Sequence, residues 1–230
     1  MQIDGSTLLI TGASSGLGAE FVTAALDRGA AKVYAAARRE IRHPDARVVA
    51  LHLDVTDADS IAAAAHAAPD VDVLINNAGV HGATSLLTSP ISEIRDVFDT
   101  NVFGVLDMTR AFAPVLASRG GGAVVDIASA LSWIATPGAY SPSKAALWGL
   151  TNSLRAELAG QGTQVLGAHL SYASTPMTES LTDVPKLAPD TVVRYILDAL
   201  EQGADEAIVD DITAAVRASL ATSTTAALGA

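Results

Sequence analysis

Tyr140-Ser141-Pro142-Ser143-Lys144 sets a phenol and an ammonium four residues apart, and on a helix that spacing puts both on one face. A phenol with its ordinary pKa of about 10 exchanges protons poorly at neutral pH, and a neighbouring cation lowers that value by favouring the phenolate. Tyr140 is therefore a candidate general acid/base, with Lys144 as the group that tunes it. The same spacing also occurs on ordinary solvated helix faces, so the assignment depends on what else the chain brings to the same place.

Thr11-Gly12-Ala13-Ser14-Ser15-Gly16-Leu17-Gly18 follows the short apolar run 6–10 and precedes a helical pattern over 19–28 that stops at Gly29. Strand, glycine turn and helix together let a backbone approach a phosphate closely, and the first N–H groups of the helix then bind the anion. A second strand, 31–37, runs into Arg38-Arg39. An acid at that junction would accept hydrogen bonds from an adenosine ribose 2′-hydroxyl. Ala37 stands about there instead, and Arg38 offers a guanidinium suited to a 2′-phosphate, which favours NADP(H) over NAD(H). Asp54 ends the third strand, 47–53, and reads either as an adenine contact or as a turn aspartate. Asn76-Asn77-Ala78-Gly79 follows the fourth strand, 72–75, and suits a cofactor ribose.

These residues need a scaffold. Thr56 or Asp57 caps an alanine-rich helix over 58–67. Helical patterns follow over 90–99 and 101–118; the second carries Val102, Val105, Leu106, Thr109, Ala113 and Leu116 at three- and four-residue spacing, with Pro114 as a place for a kink. Asn101, just ahead of that face, reads as a cap or interior amide, or as a bend that holds water near the site. A clean buried strand, 123–128, ends in Ser129. The helix from Tyr140 carries the stripe Leu147, Leu150, Leu154, Leu158, which serves a core or a subunit contact. A sixth strand spans 164–170. The loop 171–188 is long enough to be a lid or a disordered segment. A helix over 189–202, a strand over 206–209 and a helix over 210–221 follow, and the tail 222–230 has no pattern a core can use. Strands alternating with helices and no linker predict one α/β domain over 1–221, a doubly wound parallel sheet with helices on both faces. Its carboxyl edge collects the Gly12 turn, Arg38, Asp54, Asn76, Ser129 and the loop after Leu170.

Composition narrows the chemistry. With no cysteine, five scattered histidines and no H-E-x-x-H pattern, the 230-residue chain offers no disulfide, no thiolate metal site and no expected metal. A net charge of −11 argues against a nucleic-acid partner. No apolar run approaches the roughly 18 residues of a membrane span, and the N-terminus lacks the features of a signal peptide, so the expectation is a cytoplasmic protein.

Taken in order, Thr11-Gly12 to Gly18, Asp54, Asn76-Asn77-Ala78-Gly79, Asn101, Ser129 and Tyr140-x-x-x-Lys144 resemble the short-chain dehydrogenase/reductase family over nearly the whole chain. The resemblance implies a Rossmann-type fold and an NADP(H)-dependent oxidoreductase acting on a ketone, an aldehyde or a secondary alcohol. Tyr140 would then exchange the proton with the substrate oxygen. Lys144 would bind the nicotinamide ribose and lower the Tyr140 pKa, Ser129 would hydrogen-bond the reacting oxygen, and Asn101 would anchor a water in a proton relay. The implied cofactor contacts are Gly12, Ser14, Ser15, Gly16, Leu17 and Gly18 at the turn, then Arg38, Asp54 and Val55. Asn77, Ala78, Gly79 and Thr175 complete them, together with Tyr140 and Lys144. Dimers or tetramers of identical chains are implied as well.

Two features depart from the family pattern. Ser129 and Tyr140 are eleven residues apart, where the family usually has thirteen, and the family's Pro-Gly after the sixth strand is replaced by Leu170-Ser171. Leu131, Trp133, Ile134, Tyr172 and Met177 flank the site and are candidates for an apolar substrate pocket; His81 reads as an exposed loop residue or as one of these. Two alternatives stay open: a non-redox enzyme of the halohydrin-dehalogenase kind on the same fold, and a non-catalytic NADP(H)-binding sensor.

Overall fold

In the computed structural model, which describes residues 1–220, the apolar runs become the strands of a seven-stranded sheet. These are β1 (Thr7–Thr11), β2 (Lys32–Ala37), β3 (Val48–His52), β4 (Val73–Asn76), β5 (Ala123–Ile127), β6 (Gln164–His169) and β7 (Glu206–Ile208). All pair in parallel, in the order β3-β2-β1-β4-β5-β6-β7. Every residue of β1, β4 and β5 is buried, as expected of parallel strands covered on both faces.

Alternation along the strands divides the core in two. Leu8, Ile10, Val73, Ile75 and Val125 face one layer, made by α1 (Gly16–Asp27) and α6 (Pro189–Glu201). Leu9, Leu74, Val124 and Val165 face the other, made by α2 (Ala58–Ala67), α4 (Gly104–Ser118) and α5 (Tyr140–Leu158). Leu154 and Leu158 of the leucine stripe join this second layer, and Leu147 is buried beside Val105 and Ala128. The stripe is core. The remaining helices are α3 (Ile91–Phe98) and α7 (Asp211–Ser219).

Strand order reverses between β1 and β4, and the crevice at their carboxyl ends is where such sheets take ligands. Three local differences from the sequence expectations bear on that crevice. The helix after the glycine turn begins at Gly16, so the turn itself supplies the first helical residues. A single π turn, Asp99–Phe103, joins α3 to α4 and holds Asn101 at its centre. The 171–188 loop has local structure of its own: it contains a 3₁₀ turn, Pro176–Thr178, at which Thr175 N–H donates to Thr178 Oγ1 at 3.3 Å, and Ala173 pairs with Leu187 at its base. The expected end of the last helix at Ala221 and the tail 222–230 lie outside the described residues. Among the described residues, no helix is long and apolar enough to cross a membrane.

Candidate active site

At the carboxyl edge lies a cavity of about 880 Å³. The glycine turn forms one wall through Gly12, Ser14, Ser15, Gly16 and Leu17. Ser15 precedes α1 without a side-chain cap, which leaves the first-turn N–H groups to whatever occupies the cavity. Gly18 does not line the cavity, contrary to the expected contact. A Cβ there would strike the Gly12 carbonyl and the Asn77 side chain, so Gly18 instead lets α1 pack against the turn. The turn is tied to the loop after β4. Thr11 Oγ1 accepts from the N–H groups of Asn77 and Ala78 at 3.0 and 2.9 Å, and Asn77 Nδ2 donates to the Thr11 carbonyl at 2.9 Å. Asn77, Ala78 and Gly79 nonetheless line the cavity.

Further along the wall stand Arg38 and Arg39, exposed at the end of β2, with Asp54 and Val55 beside them. Asp54 Oδ1 accepts from Thr56 N–H at 3.0 Å and from its hydroxyl at 2.7 Å. These bonds, with the charge of Arg38, hold the carboxyl below its ordinary pKa.

Tyr140 opens α5, and Lys144 follows one turn later. Both line the cavity together with Ser129 and Thr175. Lys144 is buried and its ammonium donates to the Ile127 carbonyl at 2.6 Å. The expected lowering of the Tyr140 pKa is not what the structure shows: burial pushes the phenol up to about 12, hydrogen bonding with Ser129 opposes that shift, and Tyr172 adds to it. Burial also brings Lys144 down to about 8, against the pull of Asp126. The phenol thus keeps its proton at neutral pH, and the ammonium keeps its charge. Ser129 is buried; its hydroxyl accepts from Leu131 N–H at 3.1 Å and donates to the Leu170 carbonyl at 3.4 Å.

Asn101 is fully buried and does not line the cavity. Its amide nitrogen donates to the Val80 carbonyl at 2.9 Å and to Ser143 Oγ at 3.0 Å, while its oxygen accepts from Val80 N–H at 2.9 Å. Both side-chain donors are therefore committed to holding the loop after Gly79 against α5.

The substrate-side candidates divide. Leu131, Tyr172 and Met177 line the cavity; Trp133 and Ile134 do not. Trp133 turns toward β6 and stacks on His169 at 4.1 Å, and Ile134 is exposed. His81 is exposed and lines the cavity, with its ring stacked on that of Tyr140 at 5.1 Å and 24°, so it belongs with the pocket residues. Thr136, Pro137 and Leu181 also line it; no periodic pattern marks them in the sequence. Among the described residues there is no cluster of three or more His, Cys, Asp or Glu side chains able to hold a metal ion.

Residues 6–186 match the family described as short chain dehydrogenase. The ketoacyl reductase HetN of a Nostoc species is 31% identical over 90% of this chain and 79% of its own length. A short chain dehydrogenase from Burkholderia cenocepacia J2315, solved in complex with NADP, is 37% identical, with a TM-score of 0.93 over 98% of this chain and 97% of that one. One from Burkholderia phymatum, solved with NAD, is 25% identical, with a TM-score of 0.83 over 94% and 93% of the two chains. With this sheet order and these residues at its carboxyl edge, the chain belongs to the short chain dehydrogenase family and is an oxidoreductase of that family.

Proposed function

We propose that the protein is an NADP(H)-dependent carbonyl reductase or alcohol dehydrogenase acting on an uncharged ketone, aldehyde or secondary alcohol, with Tyr140 as its general acid/base. The observation that carries this reading is one continuous cavity: it runs from the glycine turn and Arg38 to Ser129, Tyr140 and Lys144. The residues fit a dinucleotide. The uncapped start of α1 suits a pyrophosphate, and the Arg38 and Arg39 guanidiniums suit a 2′-phosphate.

When bound, the nicotinamide cofactor supplies the hydride. Tyr140, protonated at neutral pH, is set to deliver its proton to a carbonyl oxygen, and Ser129 provides a second hydroxyl to orient that oxygen. Lys144 keeps a positive charge beneath the Tyr140 ring, 5.6 Å from its centroid, and favours the phenolate left behind. Among the described lining residues the formally charged side chains are Arg38, Arg39, Asp54 and Lys144. Leu131, Tyr172 and Met177 carry no formal charge, which supports an uncharged substrate. Exposed Phe103, the last residue of the π turn before α4, supports assembly into a homodimer or homotetramer.

The retained Lys144 and three glycines disfavour a halohydrin dehalogenase, and the convergence of Ser129, Tyr140 and Lys144 disfavours a mere sensor. Mixing the protein and NADPH with a panel of uncharged ketones tests the proposal. Loss of NADPH absorbance is expected, falling by roughly 10²–10⁴-fold in Tyr140→Phe while that variant still binds NADPH. Halide release from halohydrins with no NADPH consumption would overturn the proposal, as would full activity in the variant.

A further inference from the structure

His169 ends β6, is fully buried and has no part in the cavity wall. Its Nδ1 lies 3.2 Å from the main-chain carbonyl oxygen of Ser129. Its ring stacks on Trp133, in the short turn just after Ser129, with centroids 4.1 Å apart and planes at 19°. Trp133 is backed in turn by the Arg217 guanidinium of α7 at 5.0 Å and met edge-on by Trp148 of α5 at 6.0 Å. Glu206 of β7 ties these together: it pairs with Arg217 at 3.2 Å and accepts from Trp148 Nε1 at 2.9 Å.

A carbonyl oxygen only accepts, so the contact with Ser129 requires a proton on Nδ1. The other ring nitrogen, Nε2, is buried with no partner among the described residues, an arrangement suited to a neutral ring. Burial favours that form too, bringing the His169 pKa down to about 4; the Ser129 carbonyl and Glu206 pull it upward, and Arg217 and Lys144 push it further down. Ser129 is held on its other side as well, since the next residue, Ala130, donates from its N–H to the Leu170 carbonyl at 2.9 Å. The stack lies where the connection from Ser129 to Tyr140 turns.

We propose that His169 is a positioning residue: by donating from Nδ1 to the Ser129 carbonyl while stacked on Trp133, it fixes the backbone that aims the Ser129 hydroxyl into the cavity, and α7 braces the stack through Arg217. This inference rests on the reading of Ser129 as a participant in the reaction. It makes α7 and β7, which contribute nothing to the cavity lining, part of the machinery that sets turnover.

Two measurements test it. In ring ¹⁵N spectra of the cofactor-free protein, His169 should be neutral with its proton on Nδ1 at neutral pH; a charged ring or an Nε2–H tautomer would overturn the proposal. In a mutant cycle, His169→Phe should lower kcat about tenfold or more while leaving NADPH affinity, read by fluorescence, within about twofold. The same change in a Ser129→Ala background should cost nothing further. His169→Asn, which keeps a donor near the Nδ1 position, should recover part of the loss and serves in the same cycle if the Phe variant does not fold. Equal losses in both backgrounds would mean that His169 acts independently of Ser129 and would overturn the inference alone. A wild-type protein with no reductase or dehydrogenase activity would overturn the functional reading, and this inference with it.

Discussion

The Lys144 ammonium donates to the Ile127 carbonyl at 2.6 Å and lies 5.6 Å from the centroid of the Tyr140 ring, so the cation is tied to the end of β5. Burial lowers its pKa from 10.5 to about 8. Below about pH 8 the folded and unfolded chains both carry this proton, and the folded state bears the full cost of a buried charge. Between about pH 8 and 10.5 the folded chain releases the proton while the unfolded chain keeps it, so wild-type stability rises with pH. At roughly 1.4 kcal/mol per pH unit the gain approaches about 3 kcal/mol. Lys144→Met removes the titration. Denaturant unfolding at pH 7 and pH 10 should show wild type gaining on the variant by up to that amount; a difference independent of pH would contradict a depressed Lys144.

Tyr140 titrates in the opposite sense. Its phenol is pushed up to about 12, so without a dinucleotide it stays protonated at pH 10, where an ordinary tyrosine is about half ionised. The ultraviolet difference spectrum between wild type and Tyr140→Phe, taken from pH 8 to pH 11, should show no more than about a tenth of Tyr140 as phenolate at the top of that range. A step centred near pH 10 or lower would mean that burial does not govern the group.

Arg38 is exposed at the end of β2 and lines the cavity. Losing a charge-assisted bond to a phosphate costs on the order of 1.5–3 kcal/mol, so Arg38→Ala should raise the KM for NADPH about 10–100-fold and leave that for NADH nearly unchanged. Adding Ala37→Asp should turn the preference toward NADH. Equal effects on both dinucleotides would remove Arg38 from 2′-phosphate recognition.

Gly18→Ala should be destabilising although alanine favours helices, because its Cβ would meet the Gly12 carbonyl. Forced overpacking of this kind costs about 1–3 kcal/mol, and moving the turn should weaken dinucleotide binding in parallel. Thermal unfolding and fluorescence titration read the two effects; wild-type values for both would mean that α1 tolerates a wider approach to the turn.

The parallel sheet and its ligand edge were legible in the sequence because buried parallel strands are continuous apolar runs, and each loop with chemistry follows one. Gly12, Arg38, Asp54, Ser129 and Tyr140 meet at that edge for this reason. What escaped has specific causes. Trp133 sits four residues after Ser129 and looked like a pocket residue, yet the turn at 130–132 directs it onto His169, a contact between segments distant in sequence. The π turn at Asn101 falls at the break between the helical patterns over 90–99 and 101–118, but apolar spacing marks only where a helix is interrupted and not how. The side-chain commitments of Asn101 depend on Val80 and Ser143, which only the folded chain brings near. Burial also governs the Tyr140 phenol, an effect that spacing alone does not reveal.

At the base of the 171–188 loop, Ser174 N–H donates to the Leu187 carbonyl at 2.9 Å and Leu187 N–H to the Tyr172 carbonyl at 2.8 Å. The two ends are thus stitched together before the segment leaves the sheet. Lengthening or rewriting the stretch beyond Thr175 and its 3₁₀ turn adds little closure entropy, and no hydrogen bond found for Ser129 or Lys144 reaches it. The rim of the cavity is in that sense an exchangeable cassette, free to diverge toward new molecules while the floor beneath it is kept.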